Sequence, residues 1–307
     1  MIYVWLRANT RLANWMSVYA AAVSANCGDV KFYATDAKVI RLYQDYKDEV
    51  FHNTELVTGL PPGLPVYRQK NGYSPIVAPD GAEDFLLVGY FQSERYYDKE
   101  RVRKLLGPCP QRSKEIQEKF GDWLSRPHVT GISVRRTDYL KLPHTNPFCG
   151  KQYYRDCLAR LSECNDFIVC SDDIAWCKKW FLKVFPKKNF LFVENQPVLT
   201  QLYVHSFCQN NIISNSSFAL WSAWLNPNPH KRVLAPSLWT GMAYGWAPRT
   251  GNGPYFEGTE VIETHYAPLQ FVHGLVKWGW SICYRKLASV KHSLGGTAVR
   301  QKEKCNG

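Results

Sequence analysis

Two arginines and an aspartate occur close together in the segment SVRRTDYL, residues 133–140. Arg135 and Arg136 directly follow a short apolar run of strand length, and Asp138 comes two positions later. A planar guanidinium can donate two parallel hydrogen bonds to a phosphate, so the pair favours a phosphorylated ligand. The alternative interpretation is an ordinary Arg–Asp ion pair at the surface, which is common and contributes little to stability.

Two aspartates occupy a similar position in IVCSDDIAWCKKW, residues 168–180. Asp172 and Asp173 stand between a predicted strand and a predicted helix. An aspartate at the start of a helix accepts hydrogen bonds from free backbone N–H groups, and this role accounts for at least one of the two. A metal site would require more oxygen ligands than the neighbouring sequence supplies, so no metal is predicted here.

A third polar group interrupts the apolar stretch NNIISNSSFALWSAWLN, residues 210–226. Asn215, Ser216 and Ser217 follow a predicted strand and precede a predicted helix that starts near Phe218. The free N–H groups of such a helix, together with the hydroxyls, form an anion site. The alternative interpretation is capping of the helix by a serine. Asn-Ser-Ser is also a formal glycosylation sequon, but its apolar flanks argue against that use.

These three polar groups are positioned by an alternation of strand-length apolar runs with helix-like stretches along most of the chain. The alternation predicts parallel sheets with helices on both faces. We expect two such α/β units, divided near residues 125–128, with a cleft between them. Ligands of these sheets lie beyond the carboxyl ends of the strands, where all three groups fall.

Composition limits the class of partner. The chain has 307 residues, 45% of them hydrophobic and 21% charged, which is typical of a globular protein. Its formal net charge of +12 favours an anionic partner: a nucleic acid, a phosphorylated small molecule or an acidic membrane surface. Lys and Arg are spread along the chain without a basic run, so no nucleic-acid partner is predicted. Neither a GxxxxGK nor a GxGxxG loop occurs.

Compartment is indicated by cysteine usage and hydropathy. The ten cysteines form no CxxC pair, which favours reduced thiols in a cytosol. No signal peptide and no apolar run of about 18 residues is found, so we expect a cytoplasmic protein. The basic stretch from residue 273 to residue 292 carries Lys277, Trp278, Trp280, Arg285 and Lys286, which suits peripheral contact with the inner face of a membrane. Packing of the tryptophans in a core is the alternative.

At these motifs the sequence resembles the alpha-1,2-fucosyltransferase family, also called glycosyltransferase family 11. The resemblance covers roughly residues 1–240. Its blocks are LANWMSVYAAA (12–22), VGYFQSERYYDK (88–99), SVRRTDYL (133–140), FIVCSDDIAWCKKWF (167–181), CQNNIISNSSFALWSAWLN (208–226) and VLAPSLW (233–239).

The resemblance implies a GT-B-like α/β fold with two Rossmann-type parallel-sheet domains facing a cleft. Residues 1–125 would form the acceptor-side domain, residues 126–260 the GDP-fucose-binding domain, and residues 261–307 a basic tail. It further implies inverting transfer of L-fucose from GDP-fucose to a galactoside hydroxyl, most simply in alpha-1,2 linkage. No cofactor and no metal would be required.

The resemblance also assigns roles to the three polar groups. Arg135 and Arg136 would hold the GDP diphosphate, and Arg135 would stabilise the charge that develops on the leaving group. Asp138 is a candidate base, although its cationic neighbours should lower its pKa. Orientation of an arginine by Asp138 is the equal alternative, and His144 is a second candidate base. The residues implied for the donor pocket are Asn215, Ser216, Ser217 and Phe218, with Asp172 and Asp173 nearby.

Several positions depart from the family pattern. Arg11 and Ala13 replace residues of a glycine-rich loop, Ser133 replaces a histidine, and Gln201 replaces an aspartate. The motif RRTD, which stands in place of RRGD, resembles the corresponding motif of alpha-1,6-fucosyltransferases. These departures leave two alternatives open: fucosyl transfer in another linkage, or a catalytically inactive relative that binds GDP or a glycan.

Overall fold

The computed structural model describes residues 1–25, 29–70, 72–244, 254–265 and 271–283. It contains two parallel β-sheets, one of five strands and one of six. This confirms the predicted α/β fold class of two parallel-sheet domains. The strands of the first sheet lie between residues 2 and 88 and those of the second between residues 130 and 262. The domain boundaries at residues 125 and 260 stay predictions.

The first sheet has the strand order β3-β2-β1-β5-β4. Its strands are β1 (Ile2–Trp5), β2 (Val30–Tyr33), β3 (Glu55–Val57), β4 (Val66–Arg68) and β5 (Phe85–Val88). The helices of this half are α1 (Leu12–Ser24), α2 (Ala37–Lys47), α3 (Lys99–Leu106) and α4 (Pro110–Leu124).

Helices α1 and α2 share one face of the first sheet. Tyr19 of α1 and Tyr43 of α2 both meet the buried ring of Phe32 on β2, with ring centroids 5.5 and 5.6 Å apart. On the opposite face, the rings of Trp5 and Tyr33 lie side by side and are only partly buried. The sequence predicts helices on both faces, but α1 and α2 cover the same one. Alternation along a chain sets the order of elements, not the side of the sheet on which each helix packs.

The second sheet has the strand order β11-β10-β9-β6-β7-β8. Its strands are β6 (Thr130–Val134), β7 (Asp166–Ser171), β8 (Asn189–Phe192), β9 (Asn210–Ile212), β10 (Val233–Pro236) and β11 (Thr259–Ile262). Its helices are α5 (Thr137–Lys141), α6 (Lys151–Arg160), α7 (Ile174–Val184), α8 (Val198–Val204) and α9 (Ser217–Leu225).

Both faces of the second sheet are covered, as predicted. Alternate residues of β7 point to opposite faces: Ile168 joins the core that includes α8 and α9, whereas Phe167 and Val169 join the core formed with α6 and α7. Strands buried on both faces are typical of parallel sheets. Within this packing, β6 lies between β7 and β9 and pairs with both.

One strand is shorter than its sequence predicts, and three short strands were not predicted. The apolar stretch FLLVGYF, residues 85–91, predicts one strand, but β5 ends at Val88 and Phe91 has a left-handed φ of 47°. Gly89 permits this turn, because a Cβ there would lie 2.5 Å from the Phe91 ring. The sequence did not reveal β3, β4 and β11. Each has only three or four residues and lies at the edge of its sheet, so its hydrophobic pattern is short.

The C-terminal part and the cysteines follow the sequence analysis in part. Residues 271–283 are helical, and Trp280 is exposed, so a core role for Trp280 is wrong. Arg285 and Lys286 lie outside the described residues. No helix in the described ranges is long and apolar enough to span a membrane. Eight described cysteines are free thiols, six of them buried, while Cys27 and Cys305 lie outside those ranges.

Candidate functional site

The three polar strand ends meet at one edge of the second sheet. Strand β6 pairs with β7 on one side and with β9 on the other, and all three run parallel. Arg135, Asp172 and Asn215 therefore follow the carboxyl ends of three adjacent strands. This is the juxtaposition that the sequence predicts.

Arg135 is held by two carboxylates. Its Nε and Nη2 donate to Oδ1 and Oδ2 of Asp138 at 2.9 and 2.7 Å, and its Nε lies 3.3 Å from Oδ2 of Asp172. Burial acts to raise the pKa of Asp138, but the hydrogen bonds and charge of Arg135, with a smaller contribution from Arg11, hold that pKa below its usual value. Asp138 is therefore ionised at neutral pH and is a weak base.

Arg136 is held by two aromatic rings and a carboxylate. Its guanidinium lies 4.0 Å from the ring centroid of Trp176 and 5.4 Å from that of Phe148. Its Nε donates to Oδ2 of Asp173 at 3.0 Å. A guanidinium stacked on aromatic faces and paired with a carboxylate has a defined orientation before any ligand binds.

The two aspartates after β7 have different partners. Asp172 reaches the start of α5, where it accepts hydrogen bonds from the backbone N–H of Arg136 at 2.8 Å and the hydroxyl of Thr137 at 2.5 Å. Asp173 caps α7 by accepting from the backbone N–H of Trp176 at 3.3 Å. The capping interpretation is thus confirmed for Asp173. Asp172 instead ties β7 to the loop after β6, and the hydroxyl of Thr137 strengthens that tie.

The side chain of Asn215 makes its hydrogen bonds within the protein. Its side chain is buried, and its Nδ2 donates to the carbonyl oxygens of Pro147 at 2.6 Å and Trp239 at 3.1 Å. Its own carbonyl oxygen accepts a hydrogen bond from the hydroxyl of Tyr139 at 3.0 Å. Burial raises the pKa of Tyr139, so this hydroxyl keeps its proton. Asn215 therefore shapes the strand end. Tyr139, which the sequence analysis does not single out, joins the segment after β6 to the segment after β9.

The start of α9 is open. Ser216 occupies the N-cap position, but its side chain makes no capping hydrogen bond, so the serine-cap interpretation is wrong. Among the described residues, no acceptor takes the backbone N–H groups of Ser217, Phe218 or Ala219. The hydroxyl of Ser214 is fully buried and likewise has no hydrogen-bond partner in the described chain. Such groups at the start of a nine-residue helix attract an anion.

The N-terminal half approaches this edge through α1. Arg11 precedes α1 and is exposed, and its charge acts on Asp138 of the other half. Trp221 of α9 donates through Nε1 to the carbonyl oxygen of Ala13 at 3.0 Å and to the hydroxyl of Ser17 at 2.9 Å. Arg11 is therefore placed to add a third positive charge to the edge.

The remaining departures from the family pattern have structural partners. The carbonyl oxygen of Ser133 accepts from the hydroxyl of Tyr154 at 3.3 Å, and Nε2 of Gln201 donates to the carbonyl oxygen of Gln196 at 3.0 Å. His144, the second candidate base, is buried.

The two parallel sheets define the class, an α/β protein of two parallel-sheet domains. Within that class, the chain belongs to glycosyl transferase family 11, because the sequence model of that family matches residues 78–240. The chain is therefore a glycosyltransferase-family protein, as its motifs predict.

Two relatives from Escherichia coli are similar to part of the chain. An alpha-1,2-colitosyltransferase is 30% identical over 161 residues, which cover 50% of this chain and 55% of the relative. The O-antigen biosynthesis glycosyltransferase WbnK is 28% identical over 171 residues, with coverage of 50% and 55%. The chain thus spans about half the length of these curated relatives.

Solved structures with a related arrangement are more distant. The apo form of POFUT1 has a TM-score of 0.48 at 10% identity, covering 76% of this chain and 97% of that chain. The fucosyltransferase NodZ from Bradyrhizobium has a TM-score of 0.47 at 12% identity, covering 73% and 93%.

Proposed function

We propose that this protein transfers L-fucose from GDP-fucose to a hydroxyl of a galactoside-containing glycan, with inversion and in alpha-1,2 linkage. One observation carries the proposal. In the described chain, the N–H groups at the start of α9 have no hydrogen-bond acceptor, and α9 follows β9, the strand next to β6. Arg135 follows β6, and its guanidinium is already oriented by Asp138 and Asp172. A helix N-terminus and an oriented guanidinium together suit the diphosphate of a nucleotide sugar.

The proposed chemistry is a single displacement. The acceptor hydroxyl oxygen bonds to the sugar carbon while the bond from that carbon to the diphosphate oxygen breaks, and GDP leaves with the electron pair. Arg135 and the N–H groups of α9 stabilise the negative charge on the departing diphosphate. Arg136 holds the loop beside it, and Arg11 adds positive charge from the other half of the molecule.

The proton of the acceptor hydroxyl must pass to a base during this step. Asp138 is ionised, but its pairing with Arg135 makes it a weak base, and His144 is buried. We therefore assign Asp138 first to the orientation of Arg135. Its side chain is partly exposed, so a role as proton acceptor stays the alternative.

A transfer assay tests the proposal. The protein is incubated with GDP-fucose and beta-galactosides such as lactose and N-acetyllactosamine, and products are detected by mass spectrometry. A mass gain of one deoxyhexose with GDP-fucose, but not with GDP-mannose or UDP-galactose, is the expected result. Linkage analysis then separates alpha-1,2 from alpha-1,6 transfer. Activity should be retained in EDTA, because Arg135 and the N–H groups of α9, and no metal ion, are proposed to stabilise the leaving diphosphate.

The relatives favour a second candidate, a colitosyl donor, because one of them is an alpha-1,2-colitosyltransferase. A colitosyl donor is therefore included in the same assay. Transfer from that donor alone would replace fucose in the proposal. GDP binding without transfer from any donor would support an inactive relative, and loss of both binding and transfer would overturn the proposed site.

A further inference from the structure

The helix over residues 271–283 turns an apolar stripe toward the solvent. Four side chains form this stripe, with exposed fractions of 57% for Val272, 41% for Leu275, 52% for Val276 and 74% for Trp280. Their spacing places them on one side of a helix. A helix at the surface of a globular protein normally shows the opposite pattern, with its apolar side against the core.

The other side of the same helix contacts the protein. Gly274 is buried, and a Cβ at that position would lie 2.9 Å from Cε of Met242. Phe271 and Trp278 are half-buried. The helix is thus seated by its small and half-buried residues, and the apolar stripe points away from the protein.

The charge around the stripe is positive. Residues 271–283 contain Lys277 but no acidic residue. In the sequence from 284 to 307, Glu303 is the single acidic residue, and the basic ones are Arg285, Lys286, Lys291, Arg300, Lys302 and Lys304. Two copies of so basic a segment repel each other, which disfavours a second copy of the chain as the partner of the stripe. An anionic lipid surface is attracted instead.

We propose that the helix over residues 271–283 binds the surface of an anionic lipid bilayer through its apolar stripe. Trp280, Val276, Leu275 and Val272 enter the boundary between headgroups and acyl chains, and Lys277 pairs with the headgroups. Tryptophan suits this boundary because its ring is apolar and its N–H is polar. The helix lies on the bilayer and does not cross it.

Vesicle co-sedimentation of the full chain tests this proposal. Vesicles of phosphatidylcholine alone are compared with vesicles that also contain phosphatidylglycerol, at low and high salt. We expect binding to the anionic vesicles, weakened by salt and absent with phosphatidylcholine alone. The double variant Leu275→Ser, Trp280→Ser should lower partitioning by roughly tenfold or more, because it removes the two largest side chains of the stripe.

A matched control separates the stripe from general charge. Leu182 on α7 is 52% exposed, and Leu182→Ser should leave vesicle binding unchanged. Equal binding by the double variant and the wild type would overturn the proposal, because charge alone would then suffice. So would absence of binding by the wild type, or a dimer in size-exclusion chromatography that the double variant converts to a monomer. An unchanged melting temperature shows that the variants fold.

Discussion

Arg135 is the side chain on which the proposed chemistry depends most. In the absence of ligand, two of its nitrogens are already engaged by the carboxylate of Asp138, and Asp172 lies close by. Burial acts to lower the pKa of Arg135, but the hydrogen bonds with Asp138 and the charge of Asp172 raise it overall. A charged group that is oriented in advance needs little reorganisation when charge develops on the leaving group.

Replacing Arg135 by lysine tests the diphosphate assignment. Lysine keeps the charge but cannot make the forked contact. We expect Arg135→Lys to weaken GDP binding by roughly 10- to 100-fold, the equivalent of ~1.5–3 kcal/mol for a lost charge-assisted hydrogen bond. Isothermal titration calorimetry with GDP measures this. Arg126→Lys is the control, because Arg126 pairs with Asp166 at the opposite end of β7. A GDP affinity equal to that of wild type would show that the assignment is wrong.

Replacing Asp138 by asparagine distinguishes orientation from base catalysis. If Asp138 orients Arg135, Asp138→Asn should weaken GDP binding several-fold and leave the acid limb of the pH–rate profile in place. If Asp138 is the base, kcat should fall by about 100-fold or more at unchanged donor affinity, and that limb should disappear. Glu163→Gln is the control, because it breaks an arginine–carboxylate pair away from this edge, with Arg232.

Helix α9 serves both the site and the contact between the halves. Its first residues present the open N–H groups, and one turn later Trp221 reaches α1. Trp221 also stacks on Tyr97, with ring centroids 5.3 Å apart. The open helix start is thus fixed relative to the N-terminal half by a buried side chain.

Loss of the Trp221 hydrogen bonds should destabilise the protein. Trp221→Phe removes the donor of two buried hydrogen bonds, and the Ser17 hydroxyl and the Ala13 carbonyl oxygen then keep the 3.0 Å hydrogen bond that joins them. We expect the free energy of unfolding to fall by about 1–3 kcal/mol, because two hydrogen bonds with a net contribution of about 0.5–1.5 kcal/mol each are lost. Chemical denaturation measures it, with the exposed Trp280→Phe as control. Equal losses in both variants would refute a specific role for these bonds.

Stability of the whole molecule should depend on pH through one buried histidine. His205 is fully buried beside β7, with Nε2 3.0 Å from the carbonyl oxygen of Ile168. Gly131 of β6 makes room for it, since a Cβ there would lie 2.9 Å from the imidazole. Burial lowers the pKa of His205 from 6.5 to about 4, although the hydrogen bond with Ile168 acts in the opposite direction.

The sign of this dependence follows from the proton count. Between pH 6.5 and about 4, the unfolded chain binds a proton at His205 and the folded chain does not. The free energy of unfolding should therefore fall as the pH falls through this range, by about 3 kcal/mol in total. Urea denaturation at several pH values measures it. His205→Gln should remove this dependence and the exposed His230→Gln should keep it; the reverse pattern would exclude His205.

Much of the candidate site could be predicted from the sequence, because strand and helix periods are local. The apolar run ending at Val134 and the stretch around Ile212 identify buried strands, so the polar residues after them had to lie at strand ends. The partners of those residues could not be predicted in the same way. Asn215 bonds to Pro147 and Trp239, which are 68 and 24 positions away. The prediction of a serine cap was wrong because the type of the residue at the N-cap does not determine where its hydroxyl points.

By itself, the sequence determined the α/β class, the membership of glycosyl transferase family 11 and the residue types at three strand ends. Only the tertiary structure decided that β9, β6 and β7 are neighbours, that Asp138 is bound to Arg135, and that the start of α9 is left open. The physical reason is that hydrophobic periodicity and motif spacing are properties of short segments. Strand order, burial and the satisfaction of each polar group depend instead on residues far apart in the chain.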